Sequence, residues 1–94
     1  MDTLTCQRVA EFIGVLANPH RVSILCCLSD AERSVSEIAR MVDLTPAHVS
    51  AHLRVLYDRG YLERRREWKQ VFYSLRDPTI WAILDGAATL VGKP

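Results

Sequence analysis

The opening segment, MDTLTCQRVAEF, has no basic leader and no long apolar run, and it carries Asp2 and Glu11. That excludes a secretory signal or a spanning helix there, so a cytoplasmic protein with no membrane partner is expected. Cysteine is scarce: Cys6, Cys26 and Cys27 form no CxxC pair. The adjacent two fall in a helical stretch, where neighbouring side chains diverge by about 100°, so a disulfide framework is not expected. Neither sign of charge dominates, with 12 Lys and Arg against 11 Asp and Glu for a net charge of +1. A nucleic-acid ligand must therefore be argued from where the basic residues cluster. No glycine-rich phosphate loop, paired carboxylate site or nucleophile beside a base is present, which argues against an enzyme, and no cofactor is expected. Linkers and repeats are also missing, so residues 1–94 read as one domain. What is present is the balance of an ordinary folded domain, 49% hydrophobic and 24% charged, with four Gly and four Pro. A chain of 94 residues buries a limited core unless a second copy packs against it.

Val9, Phe12, Ile13 and Leu16 recur at helical spacing. Asn18-Pro19 ends that helix and starts a second, to about Leu28, with proline at a tolerated early position. Ser29 to Glu32 read as a loop. Ser34, followed three residues on by Glu37, is a capping box that opens a short helix with Val35, Ile38, Ala39 and Val42 inward. After Asp43-Leu44, Thr45 as N-cap and Pro46 at the first helical position open a fourth helix that runs to about Asp58 and stops at Gly60. YLERRR and QVFYSL then alternate as two strands around Glu67-Trp68-Lys69. Asp77-Pro78 begins a last helix with Ile80, Ile83, Leu84 and Ala87 on one face. The fold class is therefore mainly α with a small β-hairpin, in the order α-α-α-α-β-β-α: a winged helix-turn-helix.

Val49, Leu53 and Leu56 form the core stripe of the fourth helix, which leaves Ala47, Ser50, Ala51, Arg54 and Asp58 on the opposite face. Small side chains let a helix sit deep in the major groove, where Thr45, His48 and Ser50 reach base edges or phosphates and Arg54 reaches backbone. Arg64, Arg65, Arg66 and Lys69 crowd into the hairpin, four of the twelve basic residues, as expected of a wing lying along phosphates. Each feature alone is also met in a solvated helix or a charged hairpin that resists edge pairing. Together they point to duplex DNA.

The segments LANPHRVSILCCL, SVSEIARMVDLTPAHVSAHLRVLYDRGYL and RRREWKQVFYSL resemble the arsenical-resistance-type (ArsR/SmtB) family of small bacterial repressors over almost the full length. The resemblance implies a homodimer held by the first and last helices, with two recognition helices on an inverted-repeat operator, released by an effector. Under that implication Val9, Phe12 and Ile13 with Ile80, Ile83, Leu84 and Ala87 are the dimer residues; from the residues alone these faces equally complete a monomer core.

The family's CxC metal positions fall on Ser34 and Ser36, and no histidine follows His52 to join Asp77 or Asp85, so no metal site is expected. His20, His48 and His52 look too dispersed for zinc, and His52 is expected to pack or hydrogen-bond beside the recognition helix. The resemblance is nearest to the thiol- and persulfide-sensing branch: Cys26 matches its first cysteine, but the second aligns with Gly92. Cys6 is then the substitute partner, and the alternative is that Cys26 or Cys27 is only a small core residue. Trp68 stands where many relatives place glycine in the wing turn, and it either packs on the hairpin or touches the DNA backbone. The expected function is a sequence-specific repressor whose effector is unknown: a thiol oxidant or persulfide, a metal, or a small molecule. The competing class is a winged-helix protein-interaction module without DNA binding.

Overall fold

The computed structural model describes residues 1–92. Within them the elements run α1 (Thr3–Leu16), α2 (Pro19–Cys27), β1 (Arg33–Ser34), α3 (Val35–Val42), α4 (Pro46–Asp58), β2 (Leu62–Glu67), β3 (Gln70–Leu75) and α5 (Thr79–Val91).

The helices start where a side-chain oxygen meets the unpaired N–H groups of a first turn. Asp2 accepts from Thr5 N at 2.7 Å, and Asn18 accepts from His20 N at 2.9 Å and Arg21 N at 3.3 Å. At α3 the capping box is complete: Glu37 N donates to Ser34 Oγ at 3.1 Å, and Ser34 N donates to Glu37 Oε1 at 3.0 Å. Those bonds hold the Glu37 carboxyl below its usual range. Thr45 Oγ1 accepts from His48 N at 3.2 Å, with Pro46 opening α4. The turn between α3 and α4 is made by Asp43 in the left-handed region at φ 56°, a conformation Asp tolerates better than most residues. Gly60, at φ 86°, carries the chain from α4 into the wing.

Ile24, Leu25, Ile38, Val49, Leu53, Leu56 and Leu62 are completely buried. They come from α2, α3, α4 and β2, so α4 is held by its apolar stripe against all the neighbours that surround it. Cys27 joins this core, and Tyr73 seals it from β3.

The mainly α fold with its β-hairpin wing is as expected, and two details differ. The sheet has three antiparallel strands in the order β1-β3-β2, not two. Arg33 and Ser34 pair with Tyr73 and Phe72, because the chain entering α3 runs past the outer edge of β3, whose backbone groups would otherwise go unpaired. Ile80, assigned above to a surface between two copies, is only 6% exposed and belongs to the core.

α1 is a different case. Every residue from Met1 to Gly14 is exposed except Phe12, which is half-buried and meets Tyr61 edge-on with ring centroids 5.1 Å apart. Only Val15 and Leu16 of this helix are buried.

Candidate nucleic-acid interface

α4 presents the face that its sequence pattern implies. Thr45, Ala47, His48, Ala51, Arg54 and Asp58 are exposed and Ser50 is half-exposed, while Val49, Leu53 and Leu56 point inward. Two alanines one turn apart leave the helix surface low enough for close approach to base edges, and the unpaired N–H groups at its start favour an anion.

Arg21 ties this helix to the body. Its Nε donates to His52 Nδ1 at 3.3 Å and its Nη1 to the Val15 carbonyl at 3.0 Å. One guanidinium therefore joins the end of α1, the start of α2 and the middle of α4. His52 hydrogen-bonds beside the recognition helix as expected, and the accepted bond places its own proton on Nε2 in the neutral ring. The histidines are less dispersed than expected, since the rings of His20 and His52 lie 5.7 Å apart. Among the described residues, however, no group of three His, Cys, Asp or Glu could hold a metal ion.

Burial holds His52 below the ordinary histidine value of 6.5, and the charges of Arg21, His20 and His48 add to that effect. The unfolded chain therefore binds this proton more tightly than the folded one, so the contribution to stability is present above about pH 6.5 and lost as pH falls through the lower folded value. The Tm of the protein is expected to drop between pH 7.5 and 5.5, and His52→Gln is expected to flatten that drop. Thermal melts across this range check it, and equal slopes for both proteins would rule His52 out as the source.

The wing divides the basic cluster. Across β2 and β3, Arg64 faces Tyr73 and Arg66 faces Val71, whereas Arg65 faces Phe72. Because side chains alternate along a strand, Arg64 and Arg66 lie on the face shared with Leu62 and Tyr73, and Arg65 lies on the other. Arg64 sits over the Tyr57 ring at 4.0 Å, and Tyr57 meets Tyr73 edge-on at 6.4 Å. A residue of α4 thus holds an arginine of the wing in a cation–π contact, which ties the hairpin to α4. Tyr57 was not singled out in the sequence, although its place on the flank of the Leu53 and Leu56 stripe made it available to a neighbour.

Arg65 is otherwise engaged. It lies over Phe72 at 4.7 Å, reaches across β3 to both carboxylate oxygens of Glu32, and also pairs with Glu67. These bonds hold Glu32 below its usual range. The pairs are exposed and screened by solvent, so they add little to stability. Their effect on charge is larger: Arg65 is neutralised on the face away from α4, which leaves Arg64 and Arg66 as the wing arginines on the α4 side.

Trp68, at the tip, does not pack on the hairpin; it is 90% exposed. Cys6 and Cys26 are exposed and Cys27 is buried, so only the second of the adjacent pair is a core residue. Cys26 lines a groove of about 460 Å³ with Val22, Trp81 and Leu84 between α2 and α5, and burial raises its thiol pKa.

Residues 18–64 match the family model described as bacterial regulatory protein, arsR family. The chain belongs to the arsR family. It is 38% identical to the biofilm growth-associated repressor of Agrobacterium fabrum, over 92% of this chain and 74% of that protein. It is 36% identical to the transcriptional activator HlyU of Vibrio cholerae, over 83% of this chain and 72% of HlyU. The crystal structure of the transcriptional repressor BigR from Xylella fastidiosa superposes with a TM-score of 0.84 at 29% identity, covering 90% of this chain and 87% of BigR. The arsR-family chain is thus a winged-helix transcription regulator, and α4 with the β2–β3 hairpin are its helix and wing. Among the described residues no helix is long and apolar enough to cross a membrane.

Proposed function

We propose that this arsR-family chain is a homodimeric repressor that occupies an inverted-repeat operator, reads it with α4, grips the flanking phosphates with its wing and is released by an effector. The observation that carries this reading is the contact between Arg64 and Tyr57, which ties a basic wing to the helix with the bare face. Thr45, Ala47, His48, Ser50 and Ala51 then meet base edges or nearby phosphates, and Arg54 with Arg64, Arg66 and Lys69 meets backbone. Occlusion of a promoter needs only tight occupancy of such a site.

Two copies are supported by α1. A helix of 14 residues that buries almost nothing within its own chain is marginal alone in water, and it leaves Val9 and Ile13 exposed. On α5 Ile83 and Ala87 are exposed and Leu84 is half-buried, beside a groove lined by Phe12, Tyr61 and Ile83. Phe12, Val9, Ile13, Ile83, Leu84 and Ala87 thus remain the dimer residues of this reading, without Ile80.

In this reading the effector acts at Cys26, the exposed thiol of the α2–α5 groove. Burial raises its thiol pKa and so lowers its thiolate fraction, which means that this reading needs a reactive persulfide or a strong oxidant as the effector. Cys6 is the second thiol of this reading. The apolar lining of the groove also favours a small organic effector as a second reading.

Selection of bound fragments by the purified, reduced protein tests the function, followed by affinity at two salt concentrations with and without persulfide. A discrete inverted repeat whose binding is weakened by persulfide in the parent protein but not in Cys26→Ser supports the whole reading. A repeat without that response keeps the repressor and removes the thiol effector. No salt-sensitive binding at all removes the DNA reading and brings forward an interaction module.

The split wing makes its own prediction. Arg65→Ala is expected to change operator affinity less than threefold, while the Arg64→Ala/Arg66→Ala pair weakens it by about tenfold or more and lowers the salt slope by nearly two. Affinity measured from low to moderate salt checks both; equal losses would mean that Arg65 leaves its carboxylates to meet phosphate.

A further inference from the structure

The tip of the wing holds a residue that the fold itself does not account for. Trp68 has φ 58°, in the left-handed region, where glycine is at ease and an L side chain is strained. Strain of this kind persists only where the surroundings impose it, and it gathers at functional sites. Here the surroundings are two six-residue strands in register from Leu62 with Leu75 to Glu67 with Gln70. The indole gains nothing from this arrangement, since it is 90% exposed, the most exposed large apolar side chain of the described residues. Neither turn chemistry nor packing explains a tryptophan there.

Its neighbours point to a partner. Arg66 and Lys69 flank the tip, and both are exposed. Glu67, which lies between Arg66 and Trp68, is paired with Arg65 on the opposite face. The tip therefore offers an exposed apolar ring that stands in sequence between two basic positions and shares a shallow groove with Glu67, Lys69, Gln70 and Phe72. Such a ring fits a duplex minor groove, whose walls are sugars and base edges and whose rims are phosphates. Apolar side chains that enter this groove partly unstack a base step and bend the duplex. The step that yields most easily is a pyrimidine–purine one.

We infer that Trp68 is a minor-groove wedge: when α4 lies in the major groove of a half-site, the indole enters the adjacent minor groove at a flexible step and bends the DNA. This rests on the DNA-binding reading above and adds to it a specificity determinant outside the helix. Sequence preference then extends to a base step that no hydrogen bond reads, and the two wings of a dimer bend the two ends of the operator alike.

The test separates the wedge from the wider reading. In a Trp81→Phe background the tryptophan signal comes from Trp68 alone. Adding a duplex that carries the selected inverted repeat is expected to protect this fluorescence from acrylamide quenching and to shift it. Trp68→Gly is expected to leave Tm unchanged or raise it, because glycine relieves the turn, while affinity falls about tenfold, the size of a lost base–aromatic contact, and the bend seen by end-to-end energy transfer shrinks. Trp68→Asn, which also tolerates positive φ, is expected to behave the same way. Replacing the pyrimidine–purine step is expected to weaken the parent protein and to leave Trp68→Gly unaffected. A ring still open to acrylamide in the complex, or glycine and asparagine variants that bind and bend as the parent does, would overturn the wedge while the operator reading stands. Protection that grows with protein concentration in the absence of DNA would assign the ring to a second copy instead and overturn it too. If the parent protein selects no site, both readings fall together.

Discussion

Ala47→Glu is expected to weaken operator binding by roughly a hundredfold or more while leaving the protein as stable as before or slightly more so. Ala47 is the second residue of α4 after its cap Thr45, and the first turn of that helix carries no acidic residue. A carboxylate there meets the positive end of the helix and contributes about 0.3–1 kcal/mol to stability. Glutamate also costs little in helix propensity relative to alanine. The side chain is exposed, so no core packing changes. Against DNA the sign reverses, because the same carboxylate is carried into the phosphate field of the groove and the surface that alanine kept low is raised. Ala47→Gln separates the two causes: it keeps the bulk without the charge and is expected to lose less. Thermal melts and operator titrations on the three proteins check this. A variant that binds like the parent would mean that α4 does not enter the groove.

The sequence carried α4 in full because every signal for it is local. Thr45-Pro46 marks the start, Gly60 the exit, and Val49, Leu53 and Leu56 the inward stripe, all within one stretch of chain. The capping box of Ser34 and Glu37 was readable for the same reason. What escaped depends on partners distant in sequence. β1 is two residues long, too short for any periodicity, and exists only because β3 runs beside it. Arg65 finds Glu32 thirty-three residues away. Nothing local brings His20 to His52, and Ile80 fits the pattern of an exposed stripe until the core closes over it.

Two of the misses were within reach. Strand alternation alone divides Arg64 and Arg66 from Arg65, so the basic cluster need not have been read as one patch. Helical phase likewise puts Cys27 and Leu28 three and four residues after the buried Ile24, on its face, which turns Cys26 outward. Trp68 departs from the glycine that such a turn favours, and its exposure decides against packing. The pattern is general in physical terms: caps and stripes are short-range and survive without coordinates, while charge pairing and strand edges are settled by the fold.

Ile13→Glu is expected to convert the protein to a monomer at micromolar concentration and to cut operator affinity by about a hundredfold or more. Ile13 is 57% exposed and Ile83, on α5, 46% exposed, so within one chain a glutamate at position 13 displaces no core atom and the monomer should tolerate it. Between two copies it becomes a desolvated, unpaired carboxylate, which is far more costly than the lost methyl groups alone. Joining two recognition helices makes the second half-site an intramolecular encounter, a gain of about 10²–10⁴ in affinity without a new base contact. Losing the partner forfeits that gain although α4 and the wing are untouched. Stability follows the same logic: an α1 that buries only Val15 and Leu16 in its own chain relies on the partner, so Tm should fall and lose the dependence on protein concentration that assembly confers. Gln7→Glu makes the same charge change on the opposite side of the helix and is expected to behave like the parent. Sedimentation, melts at two protein concentrations and operator titrations together decide the matter. A dimeric Ile13→Glu with parental affinity would place the interface elsewhere, and a parent protein that is itself monomeric would leave α1 to be covered by something other than its own copy.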